Sequence, residues 1–391
     1  MAETLNLGNG NWGVKKDSLL AYNSENGNFK PLPFDFTRAS SATVVNKAGL
    51  IETVGSGEPR IDFSNDAKGA LLLEPSRSNL VSYSEDLSVL SKVSVGNASA
   101  PITTSNYGIS PDGTMTATRV VFDLNGGTTN QDRSILRQSI SSGDYYFSIY
   151  VKSTNGVEQK VMWHDGSEFN TTTVTSEWVR ITYDSRDAVS WGGIALNGTS
   201  GVDSSDILVW GFQVEQGSYA TSYIPTSGSA VTRVADACTN GGNEQVINST
   251  EGVLYGEVKY PSNDIGSGKY SPISITGGST NFVTFRHQGG VNNRLSIFIY
   301  VNNVEKFVVL TTAYDLNNYV KIAVLYSSSG SKVFINGTVA YTDAINSSFP
   351  INTLTEVEGF QGGDYFKGNV KDVRVYNTAL TDAELQALTS N

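Results

Sequence analysis

The sequence predicts an all-β protein: two tandem antiparallel β-sandwiches preceded by an extended, β-rich N-terminal region. Its composition is the first observation, because only 17% of the 391 residues are charged whereas 39 are glycine, 19 tyrosine and 16 phenylalanine. Such a composition is typical of sheets joined by many turns. Secondly, short apolar segments recur along the chain with Asn-Gly and Asp-Gly pairs between them, which is the pattern of a sandwich or barrel.

Composition and charge also exclude several classes of function. The net charge is −11 and no basic run occurs, so a nucleic-acid groove would lack the charge that neutralises phosphates. The single cysteine, Cys238, excludes an intrachain disulfide and a cysteine metal cluster. No apolar stretch approaches the roughly 20 residues of a membrane span. We therefore expect neither a nucleic-acid partner nor a membrane span.

Residues 1–30 are polar and rich in glycine and asparagine. Within them GNGNWG, starting at Gly8, fits the GxGxxG pattern. A dinucleotide site also needs a strand before this pattern and a helix after it, and neither is predicted. We interpret the segment as a flexible or partner-ordered arm, with Trp12 as an anchor for docking into another protein.

Residues 31–90 contain β-prone pieces of four or five residues separated by glycine and asparagine. Pieces this short make too small a core alone, so we expect them to pack on a neighbouring domain or on copies of themselves. Between Phe34 and Ser88 the segments FDFTRASSATVVNKAGLIETV and GALLLEPSRSNLVSYSEDLS resemble the opening of a family of phage virion proteins, mainly tail- or head-fibre-like. The resemblance implies a homotrimeric fibre or spike attached to capsid or tail proteins.

Residues 91–236 are predicted to form the first sandwich and a tether. The strand 145–152 alternates Tyr145, Phe147, Ile149 and Val151 on one face, and 206–214 is read as the last strand. From Glu215 to Gly242 the chain is mostly Gly, Ser and Thr, which predicts a linker without a core. The segments YYFSIYVKSTNG, SEWVRITYD and ILVWGFQVEQG resemble carbohydrate-binding modules of the jelly-roll type, in which Trp178 and Trp210 fall at core positions.

Residues 250–391 are predicted to form the second sandwich. Asn336-Gly337 between apolar residues predicts a hairpin, and Thr381 with Glu384 predicts a capped helix. The segments NYVKIAVLYSSSGSKVFINGTVA and FKGNVKDVRVYNTALTDAELQAL resemble the laminin-G/concanavalin A-like lectin superfamily. Tyr319 and Lys321 stand where that pattern often has Trp and His, a departure that bears on ligand binding and not on the fold.

Sugar binding requires an aromatic surface next to hydrogen-bonding groups. Trp163 and Trp191 each adjoin a turn and do not lie inside an alternating apolar run. We therefore predict carbohydrate contacts at Trp163, His164, Asp165, Asn170 and Trp191. The alternative is that both tryptophans lie in a core or a subunit interface.

Both resembled families often carry a structural calcium ion, which prefers oxygen ligands in loops. The resemblance therefore implies Ca²⁺, and its candidate ligands are Asp203 and Asp206, or Asp364. The two histidines, His164 and His287, lie in different predicted domains, so they are not expected to share a metal or catalytic site.

No motif of a hydrolase, metalloprotease or nucleotide-binding enzyme occurs, and we expect a protein that is not an enzyme. The exceptions to test are the carboxylates Asp165 with Glu168, and Glu356 with Glu358 and Asp364, since glycoside hydrolysis uses two carboxyl groups.

Together these features predict a phage fibre or spike protein that sits on the virion and displays lectin-like domains to host-surface glycans. The absence of a hydrophobic signal segment suggests assembly in the cytoplasm and release by lysis. The alternatives are a capsid or tail decoration protein that binds no ligand, a polysaccharide depolymerase, and a secreted bacterial adhesin.

Overall fold

The computed structural model describes residues 3–29, 33–166, 169–260, 269–288, 294–361, 364–365 and 368–390. The chain divides into two compact units. Unit 1 comprises residues 1–49, 53–76 and 234–391, and unit 2 comprises residues 50–52 and 77–233. Unit 2 therefore interrupts the chain of unit 1 in sequence. Among the described residues, no helix is long and apolar enough to cross a membrane.

The described residues form strands of two to 21 residues, one 3-10 turn at Leu87–Val89 and one α-helix. In chain order the elements are β1 Leu5–Gly8, β2 Gly13–Lys15, β3 Ser18–Leu20, β4 Pro33–Thr37, β5 Ala42–Val45, β6 Ile51–Val54, β7 Ile61–Asp62, β8 Ala70–Leu73, β9 Arg77–Asn79, β10 Ser91–Val95, β11 Ser99–Gly108, β12 Ala117–Asp123, β13 Arg133–Ser153, β14 Gln159–His164, β15 Phe169–Val174, β16 Val179–Asn197, β17 Ser204–Glu215, β18 Val231–Arg233, β19 Ala237–Thr239, β20 Gly252–Lys259, β21 Lys269–Thr276, β22 Phe282–Gln288, β23 Arg294–Val301, β24 Val304–Ala313, β25 Val320–Tyr326, β26 Lys332–Ile335, β27 Thr338–Thr342, β28 Glu356–Glu358, β29 Phe360–Gln361, β30 Asp364–Tyr365, β31 Gly368–Tyr376 and α1 Asp382–Thr389. The all-β prediction is confirmed.

Unit 1 is a sandwich of two antiparallel sheets. One sheet has the strand order β27-β26-β25-β20-β31-β8-β7, and β1 also pairs with β31. The other has the order β24-β23-β22-β21-β28. Apolar side chains from both sheets form one continuous core, which includes Val324 and Val373 from the first sheet and Phe285 and Ile297 from the second. The core excludes water between the sheets, and its burial is the main stabilising contribution.

The N-terminal segment is part of this sandwich and not the free arm expected from its composition. Strand β1 pairs with β31 from Leu5 opposite Val375 to Gly8 opposite Asp372. Leu5 and Leu7 are 0% and 1% exposed and lie in the core of unit 1. Trp12, expected to anchor a partner, packs against the same core, and its indole N–H donates to the carbonyl of Lys68 over 2.9 Å.

Two local predictions in unit 1 are confirmed. Strands β26 and β27 form a hairpin whose turn, Asn336-Gly337, has φ values of 48° and 79°, as an Asn-Gly turn of type I′ requires. Helix α1 begins after Thr381, and Thr381 and Glu384 form the reciprocal hydrogen bonds of a capping box. The helix packs on the outer face of the first sheet through Leu385, near Phe334 of β26.

Unit 2 is built mainly from one antiparallel sheet with the order β11-β12-β17-β13-β16-β14-β15, and β10 also pairs with β13. Strands β13 and β16 span 21 and 19 residues. Their register shifts between Ser139 and Tyr145, and such bulges bend a strand. Side chains from both halves of β13, among them Leu136 and Phe147, share one core.

The segment predicted as a tether, Glu215 to Gly242, is largely packed. Tyr223 and Ile224 are buried in unit 2, and β18 pairs with β9. Further on, β19 pairs with β4 in unit 1, and Cys238 is buried in the core there. Burial raises the pKa of the Cys238 thiol well above its usual range. Sparse apolar residues were sufficient for burial because each unit supplies the rest of its core from elsewhere in the chain.

A buried ion network lies in unit 1 where the chain leaves that unit and returns to it. Both oxygens of Asp236 are paired, Oδ1 with Arg38 over 3.0 Å and Oδ2 with Arg60. Arg60 also pairs with Glu74 over 2.7 Å, and the backbone N–H of Glu74 donates to Asp236 over 2.8 Å. Burial opposes the Arg60 charge, but Asp236 and Glu74 outweigh it and raise the Arg60 pKa. The network therefore stays charged, and it joins segments that are distant in sequence.

Candidate functional site

Trp163, the first predicted sugar contact, lies inside unit 2. It is 2% exposed and packs between Phe147, Phe212 and the ring of Tyr183. This is the core alternative that the sequence left open. A sugar contact at Trp163 does not fit this position, because the ring has no access to solvent.

His164 and Trp191 do come together, on the opposite face of the unit 2 sheet. Successive residues of a strand point to opposite faces, so His164 lies behind the sheet when Trp163 faces the core. The ring of Trp191 meets that of His164 edge to face at 4.9 Å, and the guanidinium of Arg137 lies 4.6 Å above the Trp191 ring. His164 is buried beneath this contact, whereas Trp191 and Arg137 remain partly exposed.

Of the remaining predicted sugar contacts, Asp165 does not contribute to this surface. Asp165 is buried and accepts a hydrogen bond from the hydroxyl of Ser185 over 2.6 Å. Asn170 lies in β15 in register with Trp163, but its side chain is outside the described residues, as is Glu168. Of the five predicted residues, the structure therefore brings His164 and Trp191 together and assigns Trp163 and Asp165 to the interior.

The predicted calcium ligands do not form a common site in the described part of the chain. Both carboxylate oxygens of Asp206 accept hydrogen bonds from Arg119, over 2.8 and 2.5 Å, and Asp203 accepts from the backbone of Gly126. Among the described residues, no group of three His, Cys, Asp or Glu is placed to hold a metal ion. The side chain of Asp364 lies outside the described residues. Asp206 does not fit a calcium ligand, because its Arg119 partner already neutralises it.

Glu356 and Glu358 lie two residues apart on β28, so they share one face while Val357 between them enters the core. Burial raises the pKa of Glu358 to about 7, and repulsion from Glu356 adds to the shift. At neutral pH the Glu358 carboxyl is therefore protonated in a large fraction of molecules and acts as a hydrogen-bond donor as well as an acceptor. The two acids are polar groups at the edge of the second sheet of unit 1.

A cleft of about 530 Å³ opens at one end of the unit 1 sandwich, a size within the range of roughly 300 to 1,000 Å³ that ligand pockets have. Three segments that are distant in sequence line it: 244–250 before β20, the turn at 351–352 before β28, and 377–378 after β31. Because the ends of β20 and β31 are neighbours in one sheet, the sheet itself brings two of these segments together.

Hydrogen bonds hold the three segments in place. The side-chain amide of Asn248 donates to the carbonyl of Asn377 over 2.9 Å. The hydroxyl of Ser249 accepts from the backbone N–H groups of Thr353 and Leu354, each over 3.0 Å. These hydrogen bonds within the protein fix the cleft walls before any ligand binds. The site is therefore preorganised.

Most of the polar side chains that line the cleft are of the kind that recognise hydroxyl groups, and Glu244 is the one charged residue among the described lining residues. Gln245 and Asn352 are exposed, and within the described residues their side-chain amides have no hydrogen-bond partner. An amide offers two donor hydrogens and an acceptor oxygen, which matches a sugar hydroxyl in either role. Ile351, 78% exposed, adds an apolar surface beside them. The cleft combines convergent polar groups with one apolar contact.

Sequence reasoning missed this cleft because it assigned residues up to Gly242 to a tether and began the next domain at 250. The segment GGNEQVINST, starting at Gly241, carries the composition of a polar binding loop, and that was the only signal available. The two partner segments lie about 100 and 130 residues downstream, so only the sandwich brings them to it.

Comparison with known proteins supports a lectin-type fold for unit 1. Residues 260–386 match the family model Laminin_G_3, described as the concanavalin A-like lectin/glucanases superfamily. The match covers less than half of the chain. No curated protein matches the sequence.

Solved structures with similarity to the chain are β-rich and distant in sequence. Domain 4 of the arabinanase AbnA from Geobacillus stearothermophilus, in complex with arabinotriose, has 14% identity and a TM-score of 0.33, over 44% of this chain and 82% of that one. The CBM40 of the Ruminococcus gnavus IT-sialidase, bound to α2,3-sialyllactose, has 15% identity and a TM-score of 0.31, over 36% and 83%. The structural similarity is therefore weak, and the similarity to a known family rests on residues 260–386, which match the model of the concanavalin A-like lectin/glucanases superfamily.

Proposed function

We propose that this protein binds uncharged glycans through the cleft at residues 244–250, 351–352 and 377–378. The observation that carries the proposal is the set of unpartnered amides, Gln245 and Asn352, beside the exposed Ile351 in a lectin-type domain. Amides form hydrogen bonds with sugar hydroxyls, and the isoleucine contacts the apolar side of a sugar ring. The absence of a charged partner from these two amides favours a neutral ligand.

The test is a glycan array probed with the full-length protein and with the double variant Gln245→Ala/Asn352→Ala. We expect the wild type to bind at least one neutral glycan and the double variant to bind it ten times more weakly or worse, because several hydrogen bonds are lost, each contributing about 1 kcal/mol. Gln386→Ala, which removes an exposed amide of α1 outside the cleft, should bind as the wild type does.

Two other results would redirect the proposal. A folded wild-type protein that binds no neutral glycan would contradict it and favour a decoration protein without a ligand. Release of soluble sugar by the wild type, abolished in Glu358→Gln, would instead indicate a polysaccharide depolymerase, because Glu358 with Glu356 supplies the two carboxyl groups that glycoside hydrolysis uses.

We further propose that the protein is a fibre or spike component of a phage virion that presents this cleft to glycans on the host surface. The support is the resemblance of residues 34–88 to fibre-like virion proteins. Its partners are then capsid or tail proteins and further copies of itself. Several weak sites on one particle bind a glycan surface more tightly than one site does, because the later contacts are intramolecular.

The assembly state tests the fibre proposal. We expect light scattering on the purified full-length protein to give the mass of three chains of 41.9 kDa each. The mass should not fall on dilution over the micromolar range. A monomer at all concentrations would contradict the trimeric fibre and leave glycan binding by the cleft intact.

A further inference from the structure

Arg137 and Trp191 of unit 2, both partly exposed, lie together on one face of the sheet. Arg137 lies on β13 directly across from Gly193 of β16, and Trp191 lies two residues earlier on that strand. Both side chains point away from the core, because their neighbours Leu136 and Ile194 face into it. We name Arg133, Arg137 and Trp191, with His164 beneath them, the arginine patch.

The positions of the patch side chains are set by the sheet. The ring of Trp191 packs edge to face against the buried His164, which leaves the Trp191 face for the Arg137 guanidinium at 4.6 Å. Arg133 approaches the other side of the His164 ring, with its Nη1 atom 3.4 Å from Nε2, and donates to Gln131 over 2.9 Å. Two arginines thus lie on one face of β13 next to an aromatic ring.

Gly193, at the centre of the patch, packs too closely against the neighbouring strand for any side chain. The glycine lies between His164 and Arg137 in register, and a Cβ atom there would come within 2.1 Å of the Leu136 carbonyl oxygen. No side chain therefore separates Arg137 from the neighbouring strand at this point.

Arg137 contacts the Trp191 ring but has no carboxylate partner among the described residues. Within the described residues its guanidinium makes no ion pair and no hydrogen bond, and its Nε atom is buried without a partner. By contrast, the buried arginines Arg38 and Arg60 are paired with carboxylates. A half-buried guanidinium that lacks a carboxylate is energetically costly unless an anion binds to it. The protein has a net charge of −11, yet none of its described acidic side chains pairs with Arg137.

From this arrangement we infer that the arginine patch binds a saccharide that carries a carboxylate, such as a uronic or sialic acid. The planar guanidinium of Arg137 matches a carboxylate with two parallel hydrogen bonds, and the exposed part of Trp191 contacts the sugar ring. Arg133 adds a second positive charge beside it. The site is separate from the cleft in unit 1, so the inference extends the proposed glycan binding to a charged ligand class and does not depend on the cleft.

The experiment uses the full-length protein on an array that pairs each uronic or sialic acid glycan with its carboxyl-reduced form. We expect the wild type to bind at least one acidic glycan ten times or more tightly than the reduced form. Arg137→Gln should lose this preference, and Arg137→Lys should retain part of it, because lysine keeps the charge but not the paired hydrogen bonds. Lys92→Gln removes an exposed positive charge from the neighbouring β10 and should leave binding unchanged.

Equal binding of the acidic and reduced forms, or no binding of any acidic glycan, would overturn the inference. So would unchanged binding in Arg137→Gln, provided its unfolding curve by tryptophan fluorescence matches the wild type. A loss of acidic binding in Lys92→Gln as well would indicate general charge attraction and would also overturn it. The double variant of the cleft should bind acidic glycans normally, which separates failure of this site from failure of the proposed function.

Discussion

Leu5→Ala is expected to destabilise unit 1 by about 2 to 5 kcal/mol, the usual cost of truncating a fully buried leucine. Leu5 is 0% exposed and its strand, β1, continues the first sheet beside β31. Truncation leaves a cavity in a core that cannot fully collapse, since the surrounding strands are held by their ladders. A residue of a flexible arm would show no such effect.

The two units require separate probes. Cys238 is the only cysteine and is buried in the unit 1 core, so its labelling by a maleimide in increasing urea reports the unfolding of unit 1. Of the five tryptophans, Trp12 belongs to unit 1 and the other four to unit 2, so fluorescence reports mainly on unit 2. We expect Leu5→Ala to lower the urea midpoint of thiol labelling and to leave the fluorescence midpoint nearly unchanged.

Val14→Ala is the matched control, because Val14 lies in the same N-terminal segment and is 45% exposed. It should change the free energy of unfolding of unit 1, obtained from thiol labelling, by no more than about 0.5 kcal/mol. If Leu5→Ala behaves like Val14→Ala, the N-terminal segment is not part of the unit 1 core.

Asp236→Asn is expected to destabilise unit 1 by about 3 to 5 kcal/mol, since removing one member of a buried ion network leaves uncompensated charge. Asp236 neutralises both Arg38 and Arg60, and the side chains of all three are fully buried. In the variant, Glu74 is the only acidic residue that remains in this network, and it pairs with Arg60. Asparagine keeps the shape of the side chain, so the loss reports the charge and not the packing.

Thiol labelling of Cys238 in urea again measures the effect. Asp382→Asn serves as the control, because Asp382 forms an exposed ion pair with Lys332, and such pairs contribute at most about 1 kcal/mol. A midpoint for Asp236→Asn equal to that of Asp382→Asn would show that the buried network does not stabilise unit 1.

The local elements were predictable because their causes are local. The Asn336-Gly337 hairpin follows from two residues that accept positive φ, and the cap of α1 follows from a hydroxyl and a carboxylate three residues apart. The alternation of Tyr145, Phe147, Ile149 and Val151 likewise predicted the strand at 145–152, which lies within β13. These signals need no information about distant residues.

The candidate sites were less predictable. The sequence drew attention to Trp191 and His164, which lie together, but could not separate them from Trp163, because residues on the two faces of one sheet differ only in register. Arg137 carries no signal in its own segment, since an arginine in a strand is ordinary unless its partners are known. Its significance depends on Trp191, 54 positions away in the chain, and on the fact that no described carboxylate pairs with it.

The sequence by itself determined the all-β class, the periodicity of most strands, the concanavalin A-like character of the C-terminal residues, and the local turns and cap. Only the tertiary structure decided which segments share a core. It placed the polar N-terminal residues in unit 1 and divided the supposed tether between the two units. A few apolar side chains such as Leu5 and Cys238 suffice for this when distant strands supply the rest of the core. It also decided which polar side chains converge, since that depends on pairing between strands far apart in sequence.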